Sequence, residues 1–194
     1  MSSFSRFGRG YTSQTASRVL SNDEIQAVAP SVFATEAHES RSERYTYVPT
    51  IDILQGLRKE GFECFSVAQS RSRIPGKSEF TKHMLRMRHA GNIGAHQSEG
   101  VPEVILVNSH DGTSSYQMFG GFFRFVCCNG MICGDTLNAI KVPHKGDIVG
   151  NVIDGAFKVV DDFEMVGNSV AAMRAITLAP AEQVAFARAA IETR

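Results

Sequence analysis

Two stretches of this chain concentrate the side chains that could do chemistry. The first, Asn108-Ser-His-Asp-Gly-Thr-Ser-Ser-Tyr116, packs hydrogen-bonding groups around an Asp-Gly pair. Ser109, His110 and Asp111 are the residue types of a nucleophile triad, but neighbours on a strand point to opposite faces and cannot line up in a relay. Two readings stay open beside that one. Asn108, Asp111 and Gly112 suit a polar turn that satisfies its own backbone, and the same groups suit a loop presented to a phosphate or a base.

The second stretch runs from Arg71 to His89. It carries Arg71, Arg73, Lys77, Lys82, Arg86 and Arg88 against the single acid Glu79, in a chain of formal net charge zero. Gly76-Lys-Ser78 resembles the tail of a phosphate-binding loop, yet the position that needs the first glycine is Arg71, which excludes a Walker site. Read as a strand, Phe80, Lys82, Met84, Arg86 and Arg88 share one face. Cations interleaved with apolar and aromatic groups are what a groove for single-stranded nucleic acid uses; an edge strand guarded by Lys and Arg has the same pattern. Arg124, Lys141 and Lys145 add cations further along, and Lys141-Val-Pro-His-Lys145 could meet an anion at a helix start. Cys127, Cys128, Cys133 and His144 raise a metal site. The C-x2-C spacing is missing, so reduced buried thiols are expected and no cofactor.

The elements that must position these groups follow from patterning. At 194 residues and 43% hydrophobic, the chain suits one domain with a real core. Its apolar runs fall short of the ~20 residues of a membrane span, and Met1-Ser-Ser-Phe-Ser-Arg6 lacks a secretory core, so a cytoplasmic protein is expected. Residues 1–22, with Arg6, Arg9 and Arg18 among Ser, Thr and Gly, read as a flexible basic arm, leaving 23–194 as a single α+β domain. Ser21 or Asn22 caps a short helix ended by Pro30. Thr50 caps a second, with Ile53, Leu54 and Leu57 on its apolar face and Gly61 as its left-handed stop. Strands are expected over Phe62–Gln69, Phe80–His89 and Glu103–Asn108. Asp111-Gly112 turns the last into a hairpin with Ser115–Phe119, broken by Gly120-Gly121. Phe122–Cys128 is strand or helix. Val149 to Val170 recur at helical steps, and Pro180 opens a final helix over Ala181–Ile191.

With those residues in view, the chain resembles the phage/plasmid-like protein family (domain of unknown function 932). The resemblance is carried by Ala29-Pro-Ser-Val-Phe33, Tyr45-Thr-Tyr-Val-Pro-Thr50, Gly61-Phe62, Phe80-Thr-Lys-His-Met-Leu-Arg86, Asn108–Tyr116, Phe123-Arg-Phe-Val-Cys127 with Asn129-Gly130, and His144-Lys-Gly146, from about residue 20 onward. It implies a home on prophages and plasmids and brings no agreed activity. At the level of fold, the order of elements resembles single-strand annealing proteins of the Rad-fifty-two type. That order is Tyr45–Val48, a helix over Pro49–Glu60, the Gly61-Phe62 turn, the strands to Phe119 and a closing segment. This likeness implies a curved antiparallel sheet with a central hairpin packed against helices, a homo-oligomer of ring form, and single-stranded DNA held on basic residues; the long C-terminal helices come from the periodicity already described. Arg71, Arg73, Lys82, Arg86, Arg88 and Lys145 would then contact phosphates.

The expected function is therefore non-covalent binding and annealing of single-stranded DNA in recombination of a mobile element. Two alternatives stand beside it. One is an anti-defence or regulatory protein that binds a host protein. The other is an enzyme acting on nucleic acid or nucleotides, centred on Asn108, His110, Asp111, Cys127 and His144.

Overall fold

In the computed structural model, residues 10–40, 47–94, 101–125, 132–142, 154–155, 165, 168–169 and 171–192 are described. They build an α+β fold around one antiparallel sheet of six strands, β1 (Tyr11–Thr15), β2 (Phe62–Ser70), β3 (His83–His89), β4 (Val101–Asn108), β5 (Tyr116–Phe125) and β6 (Ile132–Val142), in sequence order across the sheet. A meander of this kind keeps every pairing between neighbours in the chain and leaves the sheet open at β1 and β6. Two helices, α1 (Asn22–Val28) and α2 (Thr50–Lys59), lie against β2.

Alternation divides the central strands cleanly. His83, Leu85 and Met87 pair with Asn108, Leu106 and Val104, and Val67 and Gln69 join them from β2. That face meets the helices, since the His83 ring bonds the Thr50 hydroxyl at the start of α2. Ile53, Leu54, Leu57, Ile25, Leu20 and Val32 supply buried apolar surface from the helical segments. The opposite face carries Ala68, Met84, Ile105, Val107 and Phe119, with Tyr11 packed against them.

On that second face the sheet buries charge. Glu103 is wholly buried on β4, and Arg86 and Arg88, two residues apart on β3, both converge on it. Arg86 donates from Nε and Nη2 to Oε2 at 2.8 and 2.6 Å; Arg88 does the same to Oε1 at 2.9 and 2.6 Å. Each carboxylate oxygen thus receives one guanidinium fork. A bulge between Cys64 and Ser66 sets Phe65 out of the β2 ladder, and its ring lies 5.1 and 4.2 Å from the two guanidinium carbons. The remaining Arg88 nitrogen donates to the Ile93 carbonyl at 3.2 Å.

Several sequence expectations change. Residues 11–15, expected in a flexible arm, form β1 and continue the sheet; Ala16 and Leu20 donate backbone bonds to Phe65 and Cys64, and Leu20 is fully buried. Composition does not reveal this, because the gain comes from satisfying the β2 ladder edge. Arg18 is bound to Glu24, which Ser21 and Glu24 together make part of a capping box; Arg6 and Arg9 lie outside the described residues. Thr50 is the first helical residue of α2, with Pro49 at the cap, because its hydroxyl is taken by His83. Strand β3 starts at His83, after a 3-10 turn at Ser78–Phe80. Gly120-Gly121 shifts the β5–β6 register without ending β5, and β6 was not foreseen. Gly61 does take the left-handed conformation, with φ +84°, and a β-carbon there would come within 2.9 Å of His89.

The chain forms two compact units, 1–160 and 161–194. In the second, residues 171–175 are helical and a helix α3 (Pro180–Glu192) follows. Most of the long helix expected over Val149–Val170 lies outside the described residues.

Removing the shared anion tests the charge cluster. Glu103→Ala leaves two guanidinium groups buried without a counter-charge and should cost about 3–5 kcal/mol. Urea unfolding monitored by circular dichroism reads this directly, and an unchanged midpoint would show that the cluster carries no such weight.

Candidate functional site

The turn between β4 and β5 spans Ser109–Ser115 and is anchored from below. Asn108, Ser109 and His110 are fully buried and Asp111 is 4% exposed. Asn108 belongs to a chain of buried polar groups whose proton positions can be assigned from their partners. The Ser31 hydroxyl donates to Gln69 Oε1 at 2.6 Å, so its oxygen accepts from His83 Nδ1 at 2.8 Å; the Thr81 carbonyl, 3.2 Å from the same Nδ1, also requires a proton there. His83 Nε2 is then the acceptor for the Thr50 hydroxyl at 2.9 Å, and Thr50 in turn accepts from Asn108 Nδ2 at 3.0 Å. Gln69 Nε2 ends the chain on the Ser78 carbonyl at 2.7 Å. Every hydroxyl points one way, and the imidazole is the Nδ1–H tautomer.

Burial pushes the His83 pKa down to about 3, with His110 alongside adding to the effect. His110 itself is packed between Tyr47 and His83, with ring centroids 5.0 and 5.2 Å away. Its backbone is stapled on both sides, donating to the Phe80 carbonyl at 2.9 Å and accepting from the His38 amide at 3.0 Å.

Of the sequence readings of the turn, the geometry matches the self-satisfied one most closely. Ser109 Oγ donates to the Ser114 carbonyl and accepts from the Ser114 amide, at 3.1 and 2.9 Å. Asp111 Oδ1 accepts from the amide and hydroxyl of Thr113, at 3.0 and 2.6 Å, closing an Asx turn in which Gly112 takes φ +74°. Ser109, His110 and Asp111 are thus engaged separately and form no relay. Asn108, His110 and Tyr116 face inward, so a loop that presents them to a ligand is not what the fold builds.

Asp111 and Thr113 are the part of the turn that reaches a cleft. Its other walls are Ser70, Arg71, Ser72, Ile74, Lys77, Thr81 and Lys82, around a volume of about 330 Å³. The walls follow from local sequence. Pro75-Gly76 forms a type II turn, with Gly76 at φ +75° and the Lys77 amide on the Ile74 carbonyl at 3.3 Å. The Thr81 hydroxyl donates to the Ser70 and Ser78 carbonyls at 2.8 and 3.1 Å, holding the ends of β2 and β3 together beneath it. Lys77 Nζ lies 3.4 Å from Asp111 Oδ2 and ties the two loops across the cleft. Burial alone would raise the Asp111 pKa; the Thr113 bonds and Lys77 outweigh it and hold the carboxyl below its usual range. Burial lowers the Lys82 pKa.

The fold thus sorts the nine cations singled out in the sequence. Arg71, Lys77 and Lys82 meet in the cleft, and Arg73 is exposed on the same loop. Arg86 and Arg88 do not join them: both are 2% exposed and committed to Glu103, which corrects their reading as phosphate ligands. Arg124 and Lys141 sit on the backbones of β5 and β6, paired with Cys133 and Gln117. Lys145, Cys127, Cys128 and His144 lie outside the described residues. Among those described, no cluster of His, Cys, Asp or Glu could hold a metal ion. Cys64 is buried, and burial pushes its thiol up to about 12, far from a reactive thiolate. No helix among the described residues is long and apolar enough to cross a membrane.

Comparison with known proteins adds kinship. The family model described as Domain of unknown function (DUF932) matches residues 37–194. The UPF0380 protein YafZ and the UPF0380 protein YfjQ, both of Escherichia coli (strain K12), are each 52% identical over 177 residues, covering 91% of this chain. The chain spans 64% of the length of these relatives. No solved structure matches it.

The buried imidazole gives a pH test with a defined sign. In the fold His83 stays neutral to about pH 3, whereas an unfolded histidine protonates near pH 6.5. The unfolded chain therefore binds the extra proton, and this share of stability is present above about pH 6.5 and lost as pH falls toward 3. His83→Gln should be less stable at neutral pH and lose stability less steeply down to about pH 4.5, in urea titrations of both proteins. Parallel slopes would mean that His83 titrates normally in the fold.

Proposed function

Because the chain belongs to the family described as Domain of unknown function (DUF932), whose description assigns no activity, we propose from the site itself that the protein binds single-stranded DNA through its phosphates. The observation that carries this reading is the meeting of Arg71, Lys77 and Lys82 in one cleft, with Arg73 exposed on the same loop. Three cations and one carboxylate line this cleft, a local excess of positive charge in a chain with no net charge. Ion pairing and hydrogen bonding, without a nucleophile or a relay, suit binding without covalent chemistry. Annealing by a homo-oligomer of a phage or plasmid is the wider role that this binding would serve, with bases left outward for pairing.

A second reading has its own support. In the 161–194 unit, Met173, Ile176, Val184, Phe186 and Ile191 are between 63% and 75% exposed, apart from Val184 at 52%. Apolar groups so exposed suit contact with another polypeptide, as an anti-defence or regulatory protein would make.

Fluorescence anisotropy of a labelled single strand across a salt series separates the two. Binding should weaken steeply with salt, and Lys77→Gln or Lys82→Gln should each lower the slope of log K against log salt by about 0.7. Arg73→Gln should have a smaller effect. An affinity indifferent to salt and to these substitutions would remove the DNA reading and favour the polypeptide partner.

A further inference from the structure

One wall of the cleft is apolar. Among the described residues of the 1–160 unit, Ile74 is the most exposed large hydrophobic side chain, at 59%, and it lines the cleft together with Arg71 and Lys77. Resting on the DNA-binding reading, we propose that Ile74 packs against the face of a nucleobase while the neighbouring cations hold the strand's phosphates.

A lone exposed isoleucine on an open surface asks for no explanation. This one differs in how it is held and in what surrounds it. Its amide donates to Ser72 Oγ at 3.1 Å, and its carbonyl accepts from the Lys77 amide at 3.3 Å and the Ser72 hydroxyl at 3.4 Å. The Arg71 amide donates to the Gly10 carbonyl at 3.0 Å, which ties down the start of the loop, and Gly76 at φ +75° completes the turn at its end. The backbone that carries Ile74 is fixed in advance, so covering the side chain costs the loop little further ordering. The neighbours then select the partner. Each nucleotide of a single strand joins an anionic phosphate to a flat apolar face, and a site for such strands needs cations for the one and a surface for the other. A strand held by a phosphate at Arg71 or Lys77 passes its base along the apolar wall between them. An aliphatic contact has no donor or acceptor, so it gives no sequence preference. It also leaves the pairing edge of the base free, as annealing requires.

The test uses the full chain and two labelled single strands, one of ordinary nucleotides and one of abasic sugar phosphates. In fluorescence anisotropy, Ile74→Ala should weaken binding of the ordinary strand about fivefold, the low end for one base contact. The slope of log K against log salt should not change, because no charge is removed. On the abasic strand, Ile74→Ala and the unchanged chain should bind alike. The sequence holds no tryptophan, so Ile74→Trp places a single indole at the loop tip. Its emission should be quenched by the ordinary strand and not by the abasic one. Affinities indifferent to Ile74→Ala on both strands, with a salt slope still lowered by Lys77→Gln, would overturn the base contact and leave phosphate binding intact. Equal losses on the two strands would also overturn it, since the side chain would then act through the loop alone. An indole that responds to vesicles of anionic lipid and to neither strand would assign the tip to a membrane surface and sink both readings. Failure of the chain to bind the ordinary strand at low salt would do the same.

Discussion

The structure depends most on one buried carboxylate. Glu103 stands in the middle of β4, within the apolar run Val101-Pro-Glu-Val-Ile-Leu-Val107, and takes a guanidinium fork on each oxygen. Two positive groups and one negative group in a low-dielectric interior are tolerable only with every donor directed, because desolvating each ion is costly. The bulge at Phe65 contributes to that by laying an aromatic face against both cations. The pairing of β3 with β4 is specified by this arrangement as much as by apolar alternation. A slip of one residue would turn Glu103 to the helix face and leave both arginines without it.

The other face solves a different problem with neutral groups. There Ser31, Gln69, His83, Thr50 and Asn108 come from five separate segments and are joined by bonds of one consistent direction. Neutral partners need no charge balance, but they need matched donors and acceptors, and that requirement holds α2 and the Pro30–Phe33 turn to the sheet. The Asn108–Tyr116 turn is built on this layer. Its outer part, Asp111 and Thr113, is thereby held against the cationic loop of residues 71–82. The cleft is a by-product of two loops, each rigid for its own reasons.

How far the sequence foretold this depends on the range of the interactions. The strands from Phe62 to Phe119, the turn at Asp111-Gly112, the helix from Thr50 and the stop at Gly61 were legible because alternation, propensity and glycine chemistry are local. The α+β class followed from them. The pairing of residues 11–15 with β2 was not legible, since an edge strand of Ser, Thr and Gln differs little from a solvated arm until its partner is in place. The site was half legible. Arg71, Lys77 and Lys82 were found by charge density alone, but the same criterion drew in Arg86 and Arg88, which only the position of Glu103 shows to be interior. A lone acid inside an apolar strand, opposite two arginines at alternate positions, was the available signal. His83, Thr50 and Ser31 gave none, because single polar residues acquire meaning only when the fold brings them together.

The family match begins at residue 37, yet the physical unit starts earlier. Strand β1, helix α1 with its capping box, the buried Leu20 and the Ser31 that accepts from His83 all precede that boundary. A fragment excised at the start of the match would keep every residue that the family model covers. It would also expose the ladder edge of β2, an invitation to intermolecular pairing, and strip the imidazole of one of its partners. The family model and the folded unit therefore have different borders in this protein, and the residues ahead of the model supply the strand that covers the edge of β2.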